Sequence, residues 1–255
     1  MSPVHSDWEP LAEGVQRCRL PFCDVTVGLV WGPAGVLLVD TGTTLVEAAA
    51  IDADVCRIAG RPVTHVVLTH GHFDHVLGSS IFAGAELYCA PGVVEHLTSE
   101  TEGLRADAIA HGADATEVDR AIAALRPPRN TTYEVVTEAV IDLGDRAVTV
   151  AHLGRGHTSS DLVVTAPGVG GGDSVVVFTG DLVEESADPA IDADSDVAAW
   201  PGTLDRLLAI GGADAIYVPG HGSVVDAAFV QRQRDWLRAR TPLDSRSADS
   251  SGEGA

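Results

Sequence analysis

The sequence predicts an α/β protein built as a four-layer αββα sandwich, in which two packed sheets are covered by helices on both outer faces. The order of elements favours this class, because strands and a helix are followed by a helical segment and then by strands and helices again. Each half can therefore supply one sheet with helices outside it. With 255 residues and 45% hydrophobic side chains, the chain is long enough to fill such a core without disulfides.

The first half of the chain contains the strand signals of one sheet. Short apolar runs are separated by Pro21 and by Gly32-Pro33, as is typical of strands joined by turns. The continuous apolar run Val63–Thr69 is typical of a strand buried on both faces. We predict strands at Gly14–Leu20, Val25–Trp31, Gly35–Asp40, Val63–Thr69 and Glu86–Ala90, an Ala-rich helix at Thr43–Gly60 and a helix from Val76.

Residues 96–130 differ in character from the strands around them. They mix acidic residues, alanine and arginine at helical spacing and end in Arg126-Pro127-Pro128-Arg129. Because this segment is too short to form a core of its own, we predict a helical insertion within a single domain of residues 1–240. The sequence leaves open whether the insertion shapes the mouth of a pocket or forms a dimer interface.

The second half returns to strands and then to helices. Gly170–Gly172 is expected to form a turn, and the acidic segment Glu184–Asp196 a loop. The acidic tail, residues 241–255, is rich in Ser, Asp and Gly and is expected to be mobile. We predict strands at Tyr133–Thr137, Ala139–Leu143, Ala147–Leu153, Asp161–Thr165, Val175–Thr179 and Ala215–Val218, with helices at Gly202–Ile210 and Ala227–Arg240.

The charge of the chain excludes several classes of partner. The net charge is −21, and all 16 basic residues are arginine. An acidic surface repels phosphate backbones and anionic lipids, so we expect a small-molecule substrate and neither nucleic acid nor membrane as partner. The first ten residues contain no apolar stretch of the signal-peptide kind, which favours a cytoplasmic protein. The oligomeric state stays open.

A dense group of metal-ligand residue types follows the buried strand. His70, His72, Asp74 and His75 lie within the six residues 70–75. Histidine is the commonest metal ligand, and a carboxylate supplies the harder oxygen donor. A strand end followed by a tight turn allows alternate residues to converge on one point, so this segment predicts a metal site.

Three later residues have the same setting as this segment. His157, Asp181 and His221 each follow an apolar strand and lie beside glycine, which allows a sharp turn and a close approach to a site. Any of the three alone is more typical of an ordinary loop residue. In company with the first segment, they are candidate ligands of the same site.

These segments resemble the metallo-β-lactamase-fold superfamily of the HxHxDH type, from Asp40-Thr41-Gly42 to Pro219-Gly220-His221 in the family's order. The resemblance implies the αββα fold and two adjacent metal ions. It also implies a residue such as Asp40 that braces the ligands from behind. In this pattern the first metal is held by His70, His72 and His157, the second by Asp74, His75 and His221, and Asp181 bridges the two.

The resemblance implies a hydrolase that uses a hydroxide bridging its two metals. The N/O donor set suits two Zn²⁺ best and also admits Fe or Mn. Two adjacent dications bring the pKa of a shared water close to neutrality, and Asp74 is the natural residue to orient that nucleophile or move its proton. The expected substrate is a small ester, thioester, lactone or lactam, among which the ligand residues do not choose.

Substrate-contacting residues are harder to identify from the sequence. Arg155 lies two residues before His157 and is a candidate partner for a substrate carboxylate, with a structural ion pair as the alternative. Trp200 follows the acidic loop and is a candidate for lining the pocket, with core packing as the alternative. His65, inside the strand that leads to the site, is interpreted as a core or supporting residue.

Besides phosphodiester hydrolysis of small molecules, two other functions remain open at this point. The persulfide (sulfur) dioxygenases share the His70–His75 type of segment but hold one iron by two histidines and an aspartate, here His70, His157 and Asp181. A non-enzymatic metal-binding protein is the other alternative, which the complete set of ligands disfavours.

Overall fold

The computed structural model describes residues 7–125, 132–169 and 173–240 of the chain. The residues are arranged in two sheets. The first sheet has seven strands in sequence order, with β1 to β4 antiparallel and β4 to β7 parallel. Its strands are β1 (Trp8–Ala12), β2 (Val15–Arg19), β3 (Thr26–Trp31), β4 (Val36–Val39), β5 (His65–Val67), β6 (Glu86–Cys89) and β7 (Thr132–Glu134).

The second sheet has five strands in the order β12-β11-β10-β9-β8, and only the β11–β12 pair is parallel. β11 is buried along its whole length. The strands are β8 (Glu138–Asp142), β9 (Ala147–Ala151), β10 (Val163–Ala166), β11 (Val176–Glu184) and β12 (Ile216–His221).

The two sheets pack face to face through a shared apolar core. Gly28 of β3 lies under the Phe178 ring, and a Cβ at Gly28 would come within 2.4 Å of that ring. The absence of a side chain at this position lets the sheets approach closely. Val27, Leu29 and Val39 of the first sheet join Val150, Val164 and Val176 of the second in one cluster.

Helices cover both outer faces, which completes the four layers predicted from the sequence and confirms the fold class. A second apolar cluster joins the outer face of the second sheet to the last two helices, through residues such as Trp200, Leu204 and Val230. The helices are α1 (Leu45–Ala59), α2 (Phe73–Val76), α3 (Pro91–Ser99), α4 (Thr101–Ala110), α5 (Ala115–Ala124), α6 (Trp200–Gly211) and α7 (Ala227–Arg238).

Several element predictions differ from the structure. The helix predicted from Val76 is wrong, because α2 ends there and a 3-10 turn follows at Ser79–Phe82. A Cβ at Gly78 would approach the Thr41 carbonyl oxygen to 2.2 Å, so the chain turns against the first sheet at that point. Strand β1 was not predicted, and β11 continues five residues beyond the predicted end at Thr179.

The insertion forms three helices, α3 to α5, in its described part. The expectations for the Pro-rich end of the insertion, for the turn at Gly170–Gly172 and for the tail 241–255 lie outside the described residues. None of the helices in the ranges that the structure describes has the length and apolar character that crossing a bilayer requires.

Candidate metal centre

All seven candidate ligands lie together at one edge of the sandwich. His70 and His72 follow β5, and the next residues, Asp74 and His75, form part of the short helix α2. His157 lies in the loop after β9, while Asp181 lies within β11 and His221 ends β12. Because strand ends of both sheets meet at this edge, residues far apart in the sequence converge there.

The ligand atoms separate into two groups. His70, His72, His157 and Asp181 form one group, and Asp74, His75 and His221 form the other, with the ligand atoms of each group within 4.8 Å of one another. Asp181 also reaches the second group. Its Oδ1 lies 3.3 Å from Nε2 of His75, and its Oδ2 lies 3.2 Å from Nε2 of His221. Asp181 is therefore placed between the two groups.

The carboxylate of Asp181 lies at similar distances from the first group of ligands. Its Oδ2 lies 3.6 Å from Nε2 of His70 and 3.5 Å from Nε2 of His157. Glycine makes this crowding feasible, since a Cβ at Gly220 would lie only 1.8 Å from Asp181 Oδ1. Gly180 has a φ of 51°, and a Cβ there would lie 2.8 Å from the Thr69 side chain.

Three ligand atoms at the centre are buried and have no hydrogen-bond partner among the described residues. They are Nε2 of His70, Nε2 of His75 and Oδ1 of Asp181. Buried polar atoms are almost always hydrogen-bonded. Nε2 of His75 and Oδ1 of Asp181 lie 3.3 Å apart without forming a hydrogen bond, so the three atoms at this point need a common explanation. Metal ions explain them, because these are the atoms through which histidine and aspartate bind a metal.

Hydrogen bonds on the far side of the imidazole rings fix which nitrogen faces the centre. Nδ1 of His75 donates to Asp40 Oδ2 at 2.9 Å, and Nδ1 of His221 donates to the Cys23 carbonyl at 2.8 Å. Nδ1 of His157 donates to the Ala190 carbonyl at 3.3 Å. Because Nδ1 makes these bonds, Nε2 is the nitrogen that each neutral ring offers to a metal.

His72 has the opposite orientation. Its Nε2 lies 3.4 Å from Asp194 Oδ2, while its Nδ1 points inward and lies 2.9 Å from Nε2 of His157. His72 therefore presents Nδ1 to the centre. No local pattern indicated Asp194, because it lies in a loop with many other acidic residues.

Asp40 connects the two ligand-bearing segments of the first sheet. It has a φ of 63°, which is uncommon for a residue with a side chain, and it is almost completely buried. Its carboxylate accepts hydrogen bonds from the Thr69 amide and hydroxyl, both at 2.8 Å, and also from His75. Thr69 Oγ1 in turn lies 3.1 Å from Nδ1 of His70.

Burial and the charges of the centre shift the pKa values of its histidines in different directions. Burial lowers the pKa of His70 well below its usual value, and the pKa of His157 is lowered for the same reason. Burial also acts on His75, but the carboxylates of Asp181, Asp74 and Asp40 outweigh it and raise the pKa well above its usual value. For His221, Asp181 outweighs burial and raises the pKa to about 9.

Glu184 is a buried acid beside the centre that the sequence analysis missed. Its Oε1 accepts a hydrogen bond from the Ala190 amide at 3.1 Å. This bond holds the loop in place, and the carbonyl of the same Ala190 accepts the hydrogen bond from His157. Burial, reinforced by the negative charge of Asp181, raises the pKa of Glu184 to about 8.

The two candidate substrate residues lie in different surroundings. Trp200 has no exposed surface, and its Nε1 donates to the Leu182 carbonyl at 3.0 Å. Its ring packs edge-on against His157, so the structure agrees with the packing interpretation and the residue does not line the pocket. Arg155 is exposed and lies 3.6 Å from Asp196, an ion pair that leaves most of its side chain in solvent.

Comparison with known proteins agrees with the fold and with the ligand pattern. The family model for the metallo-beta-lactamase superfamily matches residues 20–221. The metallo-beta-lactamase domain-containing protein 1 of Xenopus laevis is 29% identical over 201 residues, which cover 78% of this chain and 71% of that protein.

Solved structures show the same architecture. The DIM-1 metallo-beta-lactamase exposed to ceftazidime aligns with a TM-score of 0.67 and 17% identity, covering 94% of this chain and all of that one. A metallo-beta-lactamase from Erythrobacter litoralis, with beta-mercaptoethanol in its active site, aligns with a TM-score of 0.65 and 20% identity over 92% of this chain and 97% of that one.

Replacing Asp40 by Asn is expected to weaken metal binding about 10- to 100-fold, because the amide removes the charged acceptor that orients His75. Asn tolerates a positive φ, so the backbone is kept. The measurement is metal affinity by competition with a chromophoric chelator. Asp24→Asn is the matched control, since Asp24 has a φ of 58° and pairs with Arg19 at the surface. Equal affinity of Asp40→Asn and the control would contradict this role.

Zinc binding at pH 7.5 is expected to release at least two protons per chain, because a histidine must be neutral to bind a metal. His75 and His221 have a raised pKa and carry these protons before metal binds. Affinity should therefore fall as the pH is lowered, and the release from His221 should disappear above about pH 9. Titration calorimetry in buffers of different ionisation enthalpy measures the number. Zinc binding without proton release at pH 7.5 would refute these charge states.

Proposed function

Since the chain belongs to the metallo-β-lactamase superfamily, we propose that it is a dinuclear zinc hydrolase of a small carbonyl substrate: an ester, thioester, lactone or lactam. The observation that carries the proposal is the position of Asp181 between two complete groups of ligands. The unpartnered Nε2 atoms of His70 and His75 support it, since both are buried at the same point.

The residues fit zinc better than other common metals. Five imidazoles and two carboxylates form the donor set, and N/O donors of this kind suit Zn²⁺, with Fe and Mn as less favoured occupants. When bound, two such ions supply Lewis acidity and lower the pKa of a water toward neutrality. His70, His72, His157 and Asp181 would hold one ion, and Asp74, His75, His221 and Asp181 the other.

Asp74 is the residue that we assign to proton movement. Its Oδ2 lies 3.4 Å from Nε2 of His221 and 3.7 Å from Nε2 of His75, and the residue is buried at the start of α2. In the overall reaction water adds to the acyl carbon and the bond to the alcohol, thiol or amine breaks. Asp74 is placed to accept the proton of the attacking water and pass it to the leaving group.

The test of this function is turnover by the zinc-loaded protein of an aryl ester, an acyl thioester, a γ-lactone and a β-lactam. We expect at least one class to be hydrolysed. Asp74→Asn should lower kcat about 10²- to 10⁴-fold, the range typical of a lost general base. Asp214→Asn is the control, because Asp214 is exposed in the turn that precedes β12, at the opposite end of that strand from His221.

His72→Ala should abolish the same turnover, since it removes a ligand that faces the centre through Nδ1. If no substrate class is turned over in a His72-dependent way, the hydrolase proposal is wrong. Oxygen uptake with a persulfide substrate would then favour the mononuclear iron alternative, held by His70, His157 and Asp181.

A further inference from the structure

A small cavity lies directly beside the metal centre. Its volume is about 160 Å³, and His72 forms part of its wall. The opposite wall comes from helices α3 and α4 of the insertion, and α4 also packs against the ligand-bearing helix α2. The insertion therefore shapes the mouth of the site. The lining residues are His72, His96, Glu100, Gly103, Leu104, Asp107 and Asp194.

The charge of this cavity is negative. The side chains of Glu100, Asp107 and Asp194 are 53%, 47% and 41% exposed, so their carboxylates remain accessible. Each is paired with a histidine, which is not a permanent cation, and the residues that line the described cavity include no arginine. The chain has no lysine that could neutralise the cavity.

The cavity is connected to the metal centre by the position of His72, whatever the charge of the cavity. The ring of His72 lies edge-on to His70, with the centroids 4.7 Å apart, and Nε2 of His70 is unpartnered with the residue 1% exposed. A group bound against His72 is thus next to the unpaired ligand atoms. The cavity is smaller than the roughly 300–1,000 Å³ of a complete ligand pocket, so it accommodates one end of a substrate.

The remaining lining fits a short alkyl chain. Leu104 is the apolar residue of the lining, although it is only 6% exposed, and a Cβ at Gly103 would meet nothing within 4 Å, so space is open above α4. An alkyl chain that lies on this surface can carry an ammonium group to Glu100 and Asp107, which would accept hydrogen bonds from its N–H groups.

We propose that this cavity selects substrates in which an alkylammonium group extends from the reacting carbonyl, and that Glu100 and Asp107 are its specificity-determining residues. The inference rests on the proposed hydrolase function, because it takes the metal centre as the place of reaction. A carboxylate or phosphate at the end of the substrate that enters this cavity is disfavoured by the same side chains.

The test measures binding rather than turnover. A thiolate is a strong zinc ligand, so short thiols bring a chosen group to the cavity of the zinc-loaded protein. The probes are 4-aminobutane-1-thiol, 4-hydroxybutane-1-thiol and 4-mercaptobutanoate. Their terminal groups are separated from sulfur by three or four methylenes, so the acidity of the thiol differs little among them. Calorimetry gives the Kd of each.

Wild-type protein is expected to bind the amine about tenfold more tightly than the alcohol, and the carboxylate more weakly than either. In the double variant Glu100→Gln/Asp107→Asn the preference for the amine should shrink to about twofold or less. The control is Glu95→Gln/Glu102→Gln, which removes two charges from the same two helices at exposed positions outside the cavity. The control should keep the wild-type order.

Equal binding of the three thiols by the wild type overturns the inference, and so does an unchanged preference in the cavity variant. In both cases the hydrolase proposal stands if the same sample holds two zinc ions and hydrolyses a neutral ester or lactone. If no thiol binds, the inference is also overturned. The zinc content of that sample then decides whether the hydrolase proposal falls with it.

Discussion

The carboxylate of Asp181 is the point on which the arrangement of the site depends. A buried carboxylate needs compensating charge, which His75 and His221, with their raised pKa values, supply at 3.3 and 3.2 Å. Two further imidazoles, of His70 and His157, lie at 3.6 and 3.5 Å. Those imidazoles come from both sheets, so the sheets must bring their strand ends to one point. The fully buried β11 and the missing side chain at Gly220 follow from this requirement.

A second layer of hydrogen bonds holds the imidazoles in place. Asp40 ties His75 to the Thr69 backbone, and the Cys23 carbonyl ties His221 to the turn between β2 and β3. The strained φ of Asp40 is maintained because three hydrogen bonds converge on its carboxylate. Ligand orientation is therefore set by the first sheet as much as by the ligands themselves.

Much of this molecule was predictable from local patterns. The buried run Val63–Thr69 and the histidines that follow it indicated the site, because strand ends and ligand spacing are local properties. Strand β1 was missed because its sequence, Trp8–Ala12, contains Pro10 and shows no clean alternation. Asp194 was missed, and the role of Trp200 was left open, because both depend on contacts between distant parts of the chain. Such contacts determine the shape of the pocket, so substrate preference is harder to predict from the sequence than metal binding.

The arrangement of the ligands implies that the centre would hold two metal ions, one in each group, with Asp181 between the groups. Elemental analysis of protein purified without added metal or chelator tests this arrangement. We expect about two zinc per chain, one for each group of ligands. About one iron per chain with little zinc would contradict it, and would favour a single site formed by His70, His157 and Asp181.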